Sequence, residues 1–240
     1  MTIHFVKLLG SQIVAESTVA FRFQRPPGFD YKPGQTVDIT LSDLSAGDGN
    51  GLRRTFSLVS APHEADLIVA TRMRDSDFKR ILKAAAVGSE VQLEGPFGSF
   101  TLHGNCARPA VFIAGGIGIT PFMSMLGQVT KERQQRHMTM IYANRRPEDA
   151  SFLAELEQLE REHSTLRLIA TVTSIGKSGT SWHGHIGHID ESLLKKAASE
   201  LVAPIYYVAG PPSMVAAVRQ LLNHIGVDDD DIRSEDFVGY

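Results

Sequence analysis

The chain has a single cysteine, Cys106, in 240 residues. That excludes an internal disulfide and any cysteine-ligated iron-sulfur cluster built by this chain alone. Charge of one sign is also missing. The net charge of -3 argues against a nucleic-acid-binding protein. No segment approaches the roughly 20 apolar residues of a membrane span. The start, Met1-Thr2-Ile3-His4-Phe5-Val6-Lys7, has neither the basic opening nor the apolar stretch of a secretion signal. The expectation is a cytoplasmic protein without membrane insertion. Internal repeats and low-complexity linkers are absent too. What is present is 42% hydrophobic content, enough for one large core or two modest ones.

The layout favours two. Residues 1–103 read as strands: Val19, Phe21 and Phe23 alternate with Ala20, Arg22 and Gln24, and Pro33-Gly34 marks a turn before an apolar-polar run at 36–41. Short strands separated by turns point to a small antiparallel β-barrel. A polar loop at 45–51 then delivers Arg54, and one helix opens near Asp75-Ser76-Asp77. Beyond residue 105 strands and helices alternate, with strands expected at 110–114, 138–143, 166–172 and 205–209 and helices at 122–136, 148–162, 191–201 and 213–225. Such alternation specifies an α/β domain with a parallel sheet, whose ligands sit at the carboxyl ends of the strands. The expected division is therefore 1–104 and 105–240.

One of those strand ends carries the clearest signal. Pro109-Ala110-Val111-Phe112-Ile113-Ala114 is a continuous apolar run that meets Gly115-Gly116-Ile117-Gly118-Ile119-Thr120-Pro121. Thr120 can cap the following helix and Pro121 can open it. A strand, a glycine loop and a helix N-terminus present free N–H groups to an anion, most simply a pyrophosphate. The spacing is not the G-x-G-x-x-G dinucleotide fingerprint. In the first half, Arg54-Thr55-Phe56-Ser57 offers a permanent planar cation, with Arg53 as a competitor for the same role.

Together these two segments resemble the ferredoxin-NADP reductase superfamily, in which Arg-x-Tyr-Ser on a flavin-binding barrel precedes Gly-Gly-x-Gly-x-Thr-Pro in a nicotinamide-nucleotide domain. Lys32-Pro33-Gly34-Gln35, Glu94-Gly95-Pro96-Phe97-Gly98, Gly210-Pro211-Pro212 and Glu235-Asp236-Phe237 extend the resemblance over almost the whole chain. It implies FAD held by Arg54, Thr55, Phe56 and Ser57, by Thr71, Arg72, Met73 and Ser76, and by Thr120, with Phe237 covering the flavin. Asp75 and Asp77 would have to turn away from its phosphates. Ser57 and Glu235 are implied at the reacting end. The family's tyrosine is Phe56 here, so stacking would survive and a phenol's hydrogen bond would not. NAD(P) is implied against Gly115, Gly116, Gly118, Thr120 and Pro121, and against Ala209, Gly210, Pro211 and Pro212, with Ala209 where relatives carry cysteine.

Coenzyme choice rests on few residues. After the third strand of this domain Thr173-Ser174-Ile175-Gly176-Lys177-Ser178 contains no carboxylate to hold a ribose. Ser174 and Lys177 can instead hold a 2'-phosphate, which leans toward NADP over NAD. Arg145 and Arg146 can serve either coenzyme or be surface charges. His183-Gly184-His185-Ile186-Gly187-His188 lacks supporting ligands, and no metal is expected. Arg72, Arg74, Lys79, Arg80 and Lys83 form either a solvated face or a docking patch for an acidic redox protein. The implied function is a FAD-dependent NAD(P)H oxidoreductase that passes electrons to a ferredoxin-like partner. Alternatives are a reductase of free flavins, quinones or ferric complexes, or an electron-transfer subunit of an oxygenase or membrane complex.

Overall fold

A computed structural model describes residues 2–41 and 52–238; the polar loop expected at 45–51 lies outside the described residues. The first half supplies β1 (Ile3–Ala15), β2 (Thr18–Gln24), β3 (Thr36–Leu41), β4 (Leu52–Ser57), β5 (Asp66–Arg72), α1 (Asp77–Ala84) and β6 (Glu90–Phe97). All six strands are antiparallel, in the order β4-β3-β6-β1-β2-β5. Strand β1 pairs with β6 through its first residues and with β2 through the rest, so one long strand bends between two neighbours. The two ends of the order meet where Leu58 bridges Val69 and Val59 N–H donates to the Ile68 carbonyl at 2.7 Å. This closes the sheet into a barrel. Alternation aims Phe21, Phe23, Val37, Ile39, Leu67 and Val69 inward, and Phe78 and Leu82 of α1 cover the same core.

The second half supplies β7 (Ala110–Gly115), α2 (Thr120–Lys131), β8 (Met138–Asn144), α3 (Leu153–Glu162), β9 (Leu166–Val172), β10 (His185–Ile186), α4 (Glu191–Ala198), β11 (Ile205–Gly210), α5 (Pro212–His224) and β12 (Ile232–Asp236). The order β10-β9-β8-β7-β11-β12 is parallel throughout. Strand β7 is buried on both faces, as its unbroken apolar run requires. Phe112 and Ala114 face α2, whereas Val111 and Ile113 face α4 and α5. Because β8 lies on one side of β7 and β11 on the other, the chain reverses direction at β7, and a crevice opens beyond its carboxyl end.

The core beneath α2 does not stop at the domain edge. Ala20, Val59 and Ala70 of the barrel share it with Phe122, Met125 and Tyr207. Ser124 Oγ donates to the Ser60 carbonyl at 2.7 Å, and Tyr31 Oη donates to the same oxygen at 2.9 Å. At the connection, buried Arg136 donates to the carbonyls of His103 and Arg108, and its guanidinium contacts the His103 ring. Burial first, then neighbouring arginines, push the His103 imidazole down to about 4. His103 is therefore neutral near pH 7, with Nδ1 2.8 Å from Tyr207 Oη and Nε2 3.0 Å from the Arg108 carbonyl.

Three sequence expectations change. Thr120 is not the helix cap: a 3-10 turn, Gly116–Ile119, precedes α2, Ile119 takes the cap position, and Thr120 Oγ1 donates backward to the Ile117 carbonyl at 3.1 Å. The helix expected over 148–162 is a 3-10 turn at Pro147–Asp149 followed by α3, because Phe152 adopts a left-handed backbone with φ of 60° that places its ring in the core. The helix expected to 136 ends at Lys131, and Arg133 turns the chain with φ of 51°. Strand β12 was not expected at all.

Glycine makes the crevice possible where β7 and β11 approach. A Cβ on Gly118 would lie 2.3 Å from the Ala209 carbonyl oxygen and 2.7 Å from the Gly210 nitrogen, both rigid backbone atoms. Gly118→Ala is therefore expected to destabilise the protein by about 1–3 kcal/mol through overpacking. Thermal or denaturant unfolding of the variant measures this, and parent-like stability would mean that the loop retreats without strain.

Candidate functional site

The crevice is a cleft of about 580 Å³. Gly115 lines it from the end of β7 and Gly116 from the turn that follows, Arg145 from just after β8, Thr173 from just after β9, Pro211 from between β11 and α5, and Met214 from α5. Phe237, just after β12, closes one side, held by its own N–H donating to the Gly210 carbonyl at 2.9 Å. Gly116 has φ of 54°, and nothing lies within 4 Å of where its Cβ would be. Its backbone therefore faces open space in a conformation that glycine adopts without strain. This is a surface that a ligand's phosphates can approach closely.

The implied coenzyme residues fall into two groups. Gly115, Gly116, Arg145 and Pro211 line the cleft. Gly118, Thr120, Pro121, Ala209 and Gly210 are buried and form the frame beneath it, while Pro212 opens α5. Ser174 and Lys177 stand outside the lining, on the turn after β9. That turn is tied to the cleft by Ser174 N–H donating to the Arg145 carbonyl at 2.8 Å. Asn144 and Met214 line the cleft without having been singled out in the sequence, and His188, weighed there only as a metal ligand, lines it too.

On the barrel side the competition between Arg53 and Arg54 is decided by the pleat. Arg53 shares a face with Asp38 across the β3–β4 pair and is engaged there, with Nη2 2.5 Å from Asp38 Oδ2 and 2.8 Å from Glu94. Thr55 is on that face too, and its hydroxyl donates to Asp38. Arg54 points the other way, over the Phe78 ring at 5.8 Å. Among the described residues neither Arg54 nor Arg74 pairs with a carboxylate, since Asp75 and Asp77 both turn to Arg80. Lys79 is buried beside them, and its ammonium is shifted down by burial and then by Arg74 and Arg54. Ser76 caps α1 at this point, accepting from the Lys79 N–H.

Other barrel residues sit deeper than the resemblance implied. Phe56 is buried in the barrel core, its ring centroid 5.7 Å from that of Phe78. Thr71 has no exposed surface and points into the barrel, and Met73 packs against the same core. Ser57 is buried opposite Thr36. Arg72 is bound to Asp149 of the other domain at 3.2 Å, which takes its charge away from α1. That partner is 77 residues distant in the chain, and no local pattern signals it.

Two carboxylates are perturbed in opposite directions. Glu235 stands beside Ala209 in the β11–β12 ladder, and its Oε2 is buried without a hydrogen-bond partner. Burial pushes its carboxyl up to about 7. At neutral pH it can hold or release a proton. Glu148, missed in the sequence, instead accepts from Ser178 Oγ at 2.7 Å and from Gly179 N–H and Thr180 Oγ1 at 3.0 Å. These bonds hold it down at about 2 and anchor the loop that follows the Ser174–Lys177 turn. The histidines at 183 and 185 are exposed, Trp182 Nε1 donates to the His185 carbonyl, and among the described residues no three metal-ligating side chains come together.

Residues 112–220 match the oxidoreductase NAD-binding domain family. The chain is 32% identical over 209 residues to ferredoxin-NADP reductase B of Sorangium cellulosum, covering 83% of this chain and 82% of that one. It is 26% identical over 235 residues to the reductase component 2 of terephthalate 1,2-dioxygenase from Comamonas, covering 96% of this chain and 67% of that protein. The chain spans between 57 and 67% of the length of four oxygenase reductase components that it matches. A ferredoxin NADP+ reductase of Neisseria gonorrhoeae, solved with bound FAD and NADP, shares the fold at a TM-score of 0.81 and 20% identity, covering 98% of each chain.

The position of Glu235 has a thermodynamic consequence. Its carboxyl binds a proton more tightly in the folded than in the unfolded chain, so its contribution favours folding most below about pH 4.5 and is lost as pH rises through about 7. Glu235→Gln is expected to flatten stability between those limits, by at most about 1.4 kcal/mol per pH unit. Denaturant unfolding at pH 5 and pH 8 measures the difference, and an unchanged pH slope would mean that the carboxyl is not desolvated.

Proposed function

The chain belongs to the ferredoxin-NADP reductase family, and on that premise we propose that it is a FAD-dependent NAD(P)H oxidoreductase passing electrons to a ferredoxin-like or other redox partner. The observation that carries this reading is the pairing of two anion-ready surfaces on the two domains: the open Gly116 backbone at the switch point, and Arg54, Arg74 and Lys79 at the start of α1. A flavin dinucleotide needs cations for its pyrophosphate, and a nicotinamide dinucleotide needs close backbone approach. The residues present fit both. In this division residues 1–104 bind FAD and residues 105–240 bind the coenzyme.

FAD held by these residues would supply the redox chemistry that links a two-electron nicotinamide donor to a one-electron acceptor. The chain's own residues bind and orient. Arg54 takes the flavin pyrophosphate, with Arg74 and Lys79 in the same field, while Gly115, Gly116 and Pro211 receive the coenzyme. Phe237 covers the reacting face until the nicotinamide arrives. Ser57 and Glu235 serve the reacting end, where Glu235 holds or releases a proton at neutral pH. With one cysteine this sequence supplies no cysteine-ligated iron-sulfur cluster, so electrons would pass to a carrier held elsewhere. The likeness to oxygenase reductase components supports work as the electron-transfer subunit of such a system. No helix among the described residues is long and apolar enough to cross a membrane, and we place the protein in the cytoplasm.

NADP fits the adenosine end better than NAD. Among the described residues Asp149 is the one carboxylate lining the cleft, and its charge is taken by Arg72 and Arg146. Arg145, Ser174 and Lys177 are left to face a 2'-phosphate. Lys177→Ala should raise KM for NADPH several-fold and leave that for NADH unchanged; equal effects on both would remove Lys177 from the site.

Purified protein is expected to be yellow and to reduce an artificial dye with NADPH. Arg54→Ala should remain folded and lose flavin, since a charge-assisted contact is worth roughly 1.5–3 kcal/mol. Flavin absorbance per chain is the measurement, and full occupancy in the variant would refute the assignment.

A further inference from the structure

At the mouth of the cleft the two domains are joined by charge. Arg72 ends β5 of the barrel, Asp149 ends the turn after β8, and both line the cleft. Arg72 Nη2 lies 3.2 Å from Asp149 Oδ1, and Arg146 holds the same carboxylate through Nε at 3.2 Å and Nη2 at 3.0 Å. Arg146 Nη2 also reaches Glu16 of the β1–β2 turn at 3.0 Å, and Glu16 N–H donates to the Glu148 carbonyl at 2.8 Å. The turn is thus gripped by the barrel at two separate places, the β1–β2 turn and the end of β5. Asp149 is only 8% exposed, so releasing either guanidinium leaves a poorly solvated charge with less compensation.

We propose that Arg72 and Asp149 are a positioning pair, which fixes the nucleotide domain on the barrel so that a nicotinamide in the cleft meets the flavin at a single distance and angle. This rests on the flavin-reductase reading above. The pair touches no reacting atom; it acts through the turn at 146–149, which continues β8 and its cleft-lining Asn144 and Arg145. Transfer between two bound rings falls steeply with misplacement, about a hundredfold for 1 Å. Coenzyme affinity, by contrast, is set by Gly115, Gly116, Arg145 and Pro211, which all belong to the nucleotide domain. Loosening the pair should therefore slow transfer without weakening binding.

Three variants in the flavin-loaded protein separate these effects: Arg72→Gln, Asp149→Asn and Arg72→Lys. Rapid mixing with saturating NADPH is expected to show flavin reduction slowed roughly 10- to 100-fold in the first two, a coenzyme dissociation constant within about twofold of the parent, and most of the rate retained in Arg72→Lys. A second readout needs no flavin. Amide exchange at Glu16, whose N–H crosses to Glu148, should quicken in flavin-free Arg72→Gln. Parent-like reduction rates, or a loss of flavin from Arg72→Gln, would overturn the proposal, the latter by making Arg72 a flavin ligand. If the parent binds no flavin, the functional reading fails on its own account, and unchanged exchange at Glu16 would then overturn the clamp as well. Arg72 is partly exposed, so Arg72→Gln keeps the test open should Asp149→Asn fail to fold.

Discussion

The close approach of β7 and β11 is the constraint on which the rest of the molecule depends. Where these strands end, Gly118 lies against the backbone of Ala209 and Gly210, and Gly210 lies against Gly115. Side chains there would push the two loops apart, and the cleft beyond them would lose its floor. The same contact directs α2 toward the barrel, where Ser124 meets Ser60 and Phe122 meets Phe100. Domain packing and site construction are in this sense one problem, solved by the absence of Cβ atoms at a few positions. The chain reversal at β7 then determines that the opening lies at the carboxyl ends of the strands, where a ligand reaches backbone N–H groups without disturbing the sheet.

The architecture was legible because its signals are local. An apolar run at 110–114 followed by glycines and Thr-Pro can form little other than a buried strand turning into a helix, and β7 and α2 are there. Alternation at 19–24 likewise marks β2 as the wall of a barrel. What stayed hidden depends on tertiary structure. Strand β12 reads Ile232-Arg233-Ser234-Glu235-Asp236 and has no apolar alternation, because it is an edge strand held by β11 on one side. The break before α3 follows from Phe152 entering the core, which no helix-forming pattern in 148–162 announces.

The site shows the same division at finer scale. Gly115, Gly116, Arg145 and Pro211 were identifiable because a glycine loop and strand ends announce themselves. The roles of individual arginines were not, since one guanidinium looks like another in a sequence. Asp38, across the barrel sheet, removes Arg53 from consideration. Asp149, from the other domain, engages Arg72. Glu148 was invisible because its three donors follow it by some thirty residues and become neighbours only when β9 is laid beside β8.

Charge that is left over is then more informative than charge that is present. In a chain of net charge -3, carboxylates are available to neutralise Arg53, Arg72, Arg80, Arg108, Arg146 and Arg219, and they do so. Among the described residues they do not do so for Arg54 and Arg74 near the start of α1. Burial first, then Arg74 and Arg54, lower the affinity of the Lys79 ammonium for a proton, so positive charge is concentrated at this point. Like charges held close together cost stability, and such a place gains from a multivalent anion. The pyrophosphate of FAD is that anion in the proposed function, and because Arg74 also lines the cleft, this patch borders the place that receives the coenzyme. In that reading the two nucleotide sites meet at the cleft mouth, and the relative placement of the two domains decides how the bound groups face each other.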